Sequence, residues 1–153
     1  MTHRILLVED NPKDEMLMLR AIKKNDFDGE VMVVRDGAEA IDYLISISIE
    51  NKKELPDIIF LDLKLPKMGG FQVLEQIRAH LPTQRLPVVI LSSSDESADI
   101  TKSYQLGANS YVCKPVDFAE YNNMVAALVR YWLADNHFPP PLPENMQQAA
   151  SNE

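Results

Sequence analysis

One short stretch limits the possible folds of this chain more than any other: the apolar run 58–61, followed directly by Asp62. Four consecutive apolar residues without alternation are typical of a strand that is buried on both faces. Such strands occur in parallel sheets that are covered by helices on both sides. A carboxylate at the end of such a strand indicates a functional edge, because open parallel sheets bind ligands beyond the carboxyl ends of their strands.

Three other apolar runs, 5–8, 88–91 and 111–113, also end in polar residues. The residues that follow them are two acids, a serine and a lysine: Glu9 and Asp10, Ser92, and Lys114. The carboxyl ends of parallel strands lie at one edge of a sheet, so these side chains are expected to meet Asp62 there. The sequence therefore predicts three carboxylates, one hydroxyl and one ammonium group at a single site.

Segments with helical spacing of apolar residues separate the predicted strands. The first helix begins at Asn11-Pro12, which has the form of an N-cap followed by proline at the first helical position. The segment 45–49 alternates like a strand, but a strand there would break the βα alternation, so it is predicted to end the second helix. Five βα units predict an α/β fold with a doubly wound parallel sheet of five strands.

Two strand orders are compatible with this alternation. The flavodoxin-like order 2-1-3-4-5 is preferred, because it places strands 1 and 3 side by side at the switch point. Glu9 and Asp10 would then lie next to Asp62.

Composition excludes several classes of function. The chain has 153 residues and a net charge of −8, which disfavours nonspecific binding to nucleic acid. No apolar run is long enough to span a membrane, and residues 1–4 are expected to lead directly into a strand and to leave no room for a signal peptide. The single cysteine, Cys113, lies in an apolar strand and is predicted to be a small buried residue. We expect a cytoplasmic protein.

The chain divides into one domain, residues 1–136, and a proline-rich arm, residues 137–153. The arm contains His137-Phe138-Pro139-Pro140-Pro141-Leu142-Pro143, and this density of proline prevents a helix. The last helix of the domain carries Tyr121, Val125 and Tyr131 outside the stripe expected to face the core. This excess of apolar surface predicts a homodimer.

The acidic residues at the predicted edge suit a hard divalent cation. Asp10 and Asp62, with Glu9 behind them, offer the carboxylate oxygens that Mg²⁺ prefers, and the cation relieves their mutual repulsion. Asp62 is then a candidate nucleophile toward a phosphoryl donor. Lys114 supplies a second positive charge and Ser92 a hydroxyl to the phosphoryl oxygens. A cis bond before Pro115 is one way in which the lysine could be aimed inward.

In combination, the strand-end residues closely resemble the receiver domain of two-component response regulators over about residues 4–133. The motifs that carry this resemblance are Glu9-Asp10, Asp62 with Pro66 and Gly69-Gly70, Ser92, Tyr111, and Lys114-Pro115. The resemblance implies that Asp62 accepts a phosphoryl group from a kinase phosphohistidine. It implies that Mg²⁺ is bound by Asp10 and Asp62, by Glu9 through water, and by the backbone carbonyl of Lys64.

The same resemblance assigns the remaining residues. Ser92 and Lys114 would contact the phosphoryl group, and Tyr111 would be the switch aromatic that turns inward when Ser92 moves. The side chain of Lys64, two residues beyond the acceptor, is expected to overhang the site and to tune the lifetime of the phosphoryl group. Glu9 stands where aspartate is commoner in the family.

Within the family, the sequence is most similar to the single-domain regulators that are paired with bacterial and cyanobacterial phytochromes. The segments that support this are Val8-Glu9-Asp10-Asn11, the stretch 61–67, Ser92-Ser93-Ser94, and Tyr131-Trp132 in a long last helix. The resemblance implies a stand-alone signalling protein, not an enzyme, whose kinase is of the phytochrome type. Its output would be protein–protein contact or phosphotransfer to a histidine phosphotransfer protein. Its homodimer would use the fourth helix, the fifth strand, the fifth helix and the arm.

Three alternatives stay open at this point. A phosphatase or phosphotransferase that forms an aspartyl-phosphate is disfavoured, because Lys64 occupies the position where a second aspartate would act as general acid. A nucleotide binder is disfavoured because the loop after strand 1 is acidic. A receiver-like scaffold that is never phosphorylated would not need the full set of site residues. Taken singly, Ser92 is also a plausible helix cap, Lys114 a solvated lysine and Tyr111 a packing residue.

Overall fold

A computed structural model of the protein describes residues 3–25 and 27–140. In this described part of the chain, five parallel strands and five α-helices alternate. The strands are β1 (His3–Val8), β2 (Gly29–Val34), β3 (Ile58–Leu61), β4 (Val88–Ser92) and β5 (Ser110–Cys113). The helices are α1 (Pro12–Lys24), α2 (Gly37–Glu50), α3 (Gly70–Ala79), α4 (Ser97–Gln105) and α5 (Phe118–Arg130). Short 3₁₀ turns precede β3 and β4, and a π-helical turn, Tyr131–Asp135, extends α5.

The strand order is β2-β1-β3-β4-β5, so the predicted flavodoxin-like topology is confirmed. β1 lies at the switch point, paired with β2 on one side and with β3 on the other. Val8 is opposite Leu61 in the β1–β3 register, and the residues that follow them are Glu9 and Asp62. The topology therefore places the first two acidic segments side by side.

The core consists of two layers, one on each face of the sheet. Successive residues of a strand point to opposite faces, so Leu7 and Phe60 pack with α1 and α5, whereas Leu6 and Leu61 pack with α2 and α3. All four residues of β3 are buried. The continuous apolar runs in the sequence have this cause, because the central strands are covered on both faces.

The local signals for the helices act largely as expected. The Asn11 side chain accepts hydrogen bonds from the backbone amides of Lys13 and Asp14, with Pro12 at the first helical position. The alternating segment 45–49 is helical, as predicted, and α2 continues to Glu50.

Three local expectations are wrong. Cys113 is exposed rather than buried, because it ends β5, which is an edge strand of the sheet. No cis peptide bond occurs in the described part of the chain, so Pro115 follows a trans bond. Tyr121 and Val125 are buried between α1, α5 and the sheet, which leaves Tyr131 as the exposed member of that trio.

The described part of the arm packs on its own chain. The Phe138 ring meets the His3 ring edge-on, with 6.0 Å between centroids, and lies against the α1–α5 side of the core. The Arg85 guanidinium donates a 3.4 Å hydrogen bond to the carbonyl of Pro140. Phe138 therefore contacts its own chain in this structure. The rest of the predicted arm, 141–153, lies outside the described residues.

Among the described helices, none has both the length and the apolar character that crossing a membrane requires.

Candidate functional site

Three carboxylates come together at the carboxyl edge of the sheet. Glu9 and Asp10 follow β1, Asp62 follows β3, and each offers an oxygen that lies within 4.8 Å of those of the other two. Glu9 and Asp62 are buried and Asp10 is exposed, so the cluster is open to solvent on one side.

The Lys114 ammonium group lies among these carboxylates. Its Nζ donates to Glu9 Oε2 at 2.7 Å, to Asp14 Oδ2 at 3.0 Å and to Asp62 Oδ2 at 3.1 Å. The Lys114 backbone amide donates to the carbonyl of Ser92 at 2.7 Å, which fixes the start of the side chain at the end of β5. Only 9% of the side chain is exposed, so the three carboxylates take the place of water around the ammonium.

Burial and mutual repulsion shift the protonation of this cluster. Burial, together with the charge of Asp62, raises the pKa of Glu9 to about 7 although Lys114 opposes the shift. Burial alone would lower the pKa of Lys114, but its bond to Glu9 and the charge of Asp62 outweigh burial and raise it. Lys114 therefore remains an ammonium group near neutral pH.

The donor set fits a divalent cation. The cluster holds carboxylate oxygens only, the ligands that hard cations prefer, and their negative charge exceeds the single charge of Lys114. Burial is the main cause of the raised pKa of Glu9, and the negative charge of Asp62 adds to it. A divalent ion held by Glu9, Asp10 and Asp62 would relieve this excess of negative charge.

The backbone around Asp62 is closely packed. Asp62 Oδ1 accepts a 3.2 Å hydrogen bond from the backbone amide of Lys64, whose side chain is exposed. Gly70 begins α3 directly behind the acceptor, where a Cβ atom would lie 2.5 Å from the carbonyl oxygen of Asp62. Only glycine allows this approach, which explains why the turn after β3 contains one there.

Ser92 and Tyr111 are connected through the loop that follows β4. Ser92 is fully buried, and its Oγ accepts a 3.2 Å hydrogen bond from the amide of Ser94. The Ser94 hydroxyl donates to Asp99 Oδ2 at 2.6 Å, and the Tyr111 hydroxyl donates to the Ser94 carbonyl at 2.8 Å. Ser94 is therefore hydrogen-bonded to both Ser92 and Tyr111.

The structure also brings in residues that the sequence analysis did not select. Asp14 contacts Lys114 from the first turn of α1, where an acidic residue is ordinarily explained by the helix dipole. Ser94 and Asp99 form the connection between Ser92 and Tyr111. No local sequence signal distinguishes Asp14 from a dipole residue, because its partner is 100 positions away.

Comparison with known proteins identifies the family. The model for the response regulator receiver domain matches residues 5–126. The probable methanogenesis regulatory protein FilR2 of Methanothrix harundinacea is 39% identical over 137 residues, which cover 90% of this chain and 88% of that protein. The response regulator Rcp1 of Synechocystis is 35% identical over 129 residues, or 84% of this chain and 88% of that protein.

Solved structures agree in fold and in sequence. The phosphorylated cyanobacterial phytochrome response regulator RcpA superposes with a TM-score of 0.85 at 36% identity, covering 92% of this chain and 100% of that chain. The bacteriophytochrome response regulator RtBRR is 42% identical, with a TM-score of 0.70, covering 99% of this chain and 93% of that chain. The Mn²⁺-bound form of Rcp1 is 33% identical, with a TM-score of 0.83, covering 90% of this chain and 99% of that chain.

The alternatives of a phosphatase and of a nucleotide binder are not favoured by these matches. The family implies a histidine kinase as partner and a divalent metal at the acidic cluster. From its fold, its acidic edge and its relatives, the chain belongs to the response regulator receiver domain family, the phosphoryl-accepting signalling proteins of two-component systems.

Proposed function

We propose that Asp62 is the phosphoacceptor of this receiver and takes its phosphoryl group from a phosphohistidine of a histidine kinase. The observation that supports this most directly is the contact between Lys114 Nζ and Asp62 Oδ2 at 3.1 Å. It places a buried ammonium group beside the carboxylate of the acidic cluster that follows β3, the middle strand of the sheet. A phosphoryl group that arrives at Asp62 would meet this positive charge immediately.

The transfer is a single displacement at phosphorus. A carboxylate oxygen of Asp62 attacks the phosphorus of the phosphohistidine and forms a P–O bond. The P–N bond breaks, and its electron pair stays on the imidazole nitrogen. Lys114 and the Ser92 hydroxyl hold phosphoryl oxygens of the product. The protein contributes position and charge rather than a proton, as is usual for phosphoryl transfer.

Mg²⁺ is the proposed metal, held by the carboxylates of Asp10 and Asp62, by Glu9 through water and by the carbonyl of Lys64. All three carboxylates belong to the acidic cluster, and Lys64 is two residues from the acceptor. When bound, Mg²⁺ would neutralise the negative charge on the phosphoryl oxygens. The Mn²⁺-bound form of the similar Rcp1 supports a divalent ion at this position.

The response to phosphorylation is proposed to run through Ser92, Ser94 and Tyr111. A phosphoryl group adds about two negative charges at pH 7 and three acceptor oxygens. It would draw the Ser92 hydroxyl away from the Ser94 amide. The Tyr111 hydroxyl is bonded to the carbonyl of the same Ser94, so its ring would follow. The surface of α4, β5 and α5 would then differ between the two states.

We propose a phytochrome-type kinase as the partner, because RcpA and RtBRR are described as phytochrome and bacteriophytochrome regulators. A homodimer through α4, β5 and α5 is proposed on exposed apolar side chains: Tyr104, Val116, Phe118 and Tyr131. The output is contact with another protein or transfer to a histidine phosphotransfer protein. The receiver unit is residues 1–136, with 137–153 as the arm.

Intact-mass measurement after incubation with acetyl phosphate and Mg²⁺ tests the acceptor. Wild type should gain one phosphoryl group, and Asp62→Asn should gain none. Asp42→Asn is the matched control, because Asp42 is an exposed aspartate on α2, away from the cluster. A phosphoryl group on Asp62→Asn, or none on wild type, would contradict the proposal.

Sedimentation tests the dimer separately. A monomer at high micromolar concentration, both with and without the phosphoryl group, would rule out the proposed homodimer without affecting Asp62 as acceptor.

A further inference from the structure

We propose that Asp14 is a positioning residue, which holds the Lys114 ammonium group at Asp62 throughout the phosphorylation cycle. This inference rests on the proposed function of Asp62 and adds a fourth carboxylate to it. Asp14 lies outside the acidic cluster of Glu9, Asp10 and Asp62. Its role follows from what it contacts.

An ammonium group has three N–H donors, and each donor of Lys114 meets a different carboxylate. Two of these carboxylates, Glu9 and Asp62, also belong to the acidic cluster that fits a divalent cation. When a metal and a phosphoryl group occupy that cluster, Glu9 and Asp62 each gain a second partner that competes with Lys114. This partner is either the metal cation or the covalently bound phosphoryl group. Asp14 alone keeps its oxygen free for Lys114, because it is not a member of the cluster.

Asp14 is fixed firmly enough to act as such a support. Its backbone amide donates to Asn11 Oδ1 at 3.2 Å in the capped first turn of α1. Its carbonyl accepts a hydrogen bond from the Tyr121 hydroxyl at 3.4 Å, and Tyr121 is buried against α1. Asp14 is therefore held both by its own helix and by α5, and its side chain is only 25% exposed.

Lys114 needs such a support because its side chain is long. Four methylene groups carry the ammonium. A lysine without a fixed partner samples many rotamers, so its charge spends less time beside the phosphoryl oxygens. Without Asp14, Glu9 would draw the ammonium group to one side, at its shorter distance of 2.7 Å. A displacement of about 1 Å from the phosphoryl oxygens is enough to slow a transfer that depends on position.

The test is a double-mutant cycle on the rate of phosphorylation by phosphoramidate, at Mg²⁺ concentrations that saturate each variant. Asp14→Ala should slow the reaction about tenfold in wild type. In a Lys114→Met background, the same change should have no effect, because Asp14 acts through the ammonium group. Asp14→Asn preserves the size of the side chain and one acceptor oxygen, so its phosphorylation rate should lie between those of Asp14→Ala and wild type. It also serves as a second variant in case Asp14→Ala fails to fold.

Glu15→Ala is the matched control for charge. Glu15 lies in the same turn of α1 but pairs with Arg35 at 2.9 Å instead of with Lys114. It should react at the wild-type rate. Asp14→Ala reacting like wild type, or slowing the Lys114→Met variant by the same factor, would overturn the inference and leave the acceptor role of Asp62 standing. Failure of wild type to react at all would overturn both.

Discussion

A cation that is at least partly buried lies near each end of the sheet, Arg78 at the amino end and Lys114 at the carboxyl end, and the two are held in different ways. At the amino end, the Arg78 guanidinium is half-buried and donates to neutral oxygens: the carbonyls of Gly107, Gln84 and Leu86 and the side-chain oxygen of Asn109. At the carboxyl end, Lys114 donates to three carboxylates. Both groups are at least partly buried, but their acceptors differ in charge.

The difference favours Arg78 as a cation that stabilises the fold and is consistent with the proposed role of Lys114 in phosphorylation. Burial lowers the pKa of Arg78, and the oxygens that accept its hydrogen bonds are neutral. They join α3 to the loops before β4 and β5, so this contact serves the fold. The groups that contact Lys114 are charged carboxylates, which can also interact with a metal or a phosphoryl group. A buried cation surrounded by carboxylates is therefore a better indicator of a functional site than a cation bonded to neutral oxygens.

The largest effect is expected at Lys114. Lys114→Met should slow phosphorylation of Asp62 by phosphoramidate roughly 100-fold, because a preorganised positive charge is lost from the phosphoryl oxygens. The rate of phosphoryl gain, followed by intact mass, measures this. A rate within threefold of wild type would show that Lys114 is as purely structural as Arg78.

The opposite pattern is expected at Arg78. Arg78→Met should lower the free energy of unfolding by about 3 kcal/mol, because the partly buried carbonyls of Gly107 and Leu86 lose their donor. The folded protein should still be phosphorylated within threefold of the wild-type rate. Urea unfolding measures the first quantity, with Arg85→Met as control, since exposed Arg85 makes one long bond to Pro140. An equal loss of stability in Arg78→Met and Arg85→Met would contradict the structural role that we assign to Arg78.

A smaller effect concerns the pH dependence of stability. The folded pKa of Glu9 is about 7, above its ordinary value of 4.5, so the folded state binds the extra proton between these values. Stability should therefore fall as pH rises from 5 to 8 in EDTA, by about 2 kcal/mol from this residue. Glu9→Gln should flatten the dependence. Urea unfolding at several pH values measures it, and an unchanged slope in Glu9→Gln would contradict the assignment.

The smallest effect is expected at Lys64. Its exposed side chain follows the acceptor by two residues, and we expect it to shield the phosphoryl group from water. Lys64→Ala should shorten the lifetime of phosphorylated protein about threefold, or by less than 1 kcal/mol in barrier. Loss of phosphoryl over time measures this. Lys67→Ala is the control, because Lys67 is exposed in the same loop but faces Asp36 at 3.6 Å. Equal lifetimes in Lys64→Ala and wild type would contradict the prediction that Lys64 shields the phosphoryl group.

The sequence predicts the carboxyl end of the sheet better than it predicts the amino end. Buried parallel strands leave continuous apolar runs, so the residues that end them, such as Asp62 and Lys114, are visible as a set. Arg78 has no such signal, because a basic residue in the last turn of a helix is also explained by the dipole. Three of its four partners are backbone carbonyls, which any sequence provides.

Errors arose where a pattern has two explanations. The apolar run that Cys113 ends predicts a core residue, but an edge strand buries less than a central one. Helical spacing predicts that Tyr121 is interface surface, but the core formed with α1 and α5 encloses it. Which neighbour covers a helix face is decided by tertiary packing, and helical spacing alone does not contain that information.

The edge contact between Phe138 and His3 has a practical consequence. It joins the described end of the arm to the start of β1, and a strand of six residues rises roughly 20 Å before it reaches the acidic residues. A surface tether or fluorophore attached near Phe138 would therefore sit on the opposite side of the molecule from Asp62. A single molecule could be immobilised at this position while the carboxyl edge of the sheet, with Asp62, stays accessible to a kinase.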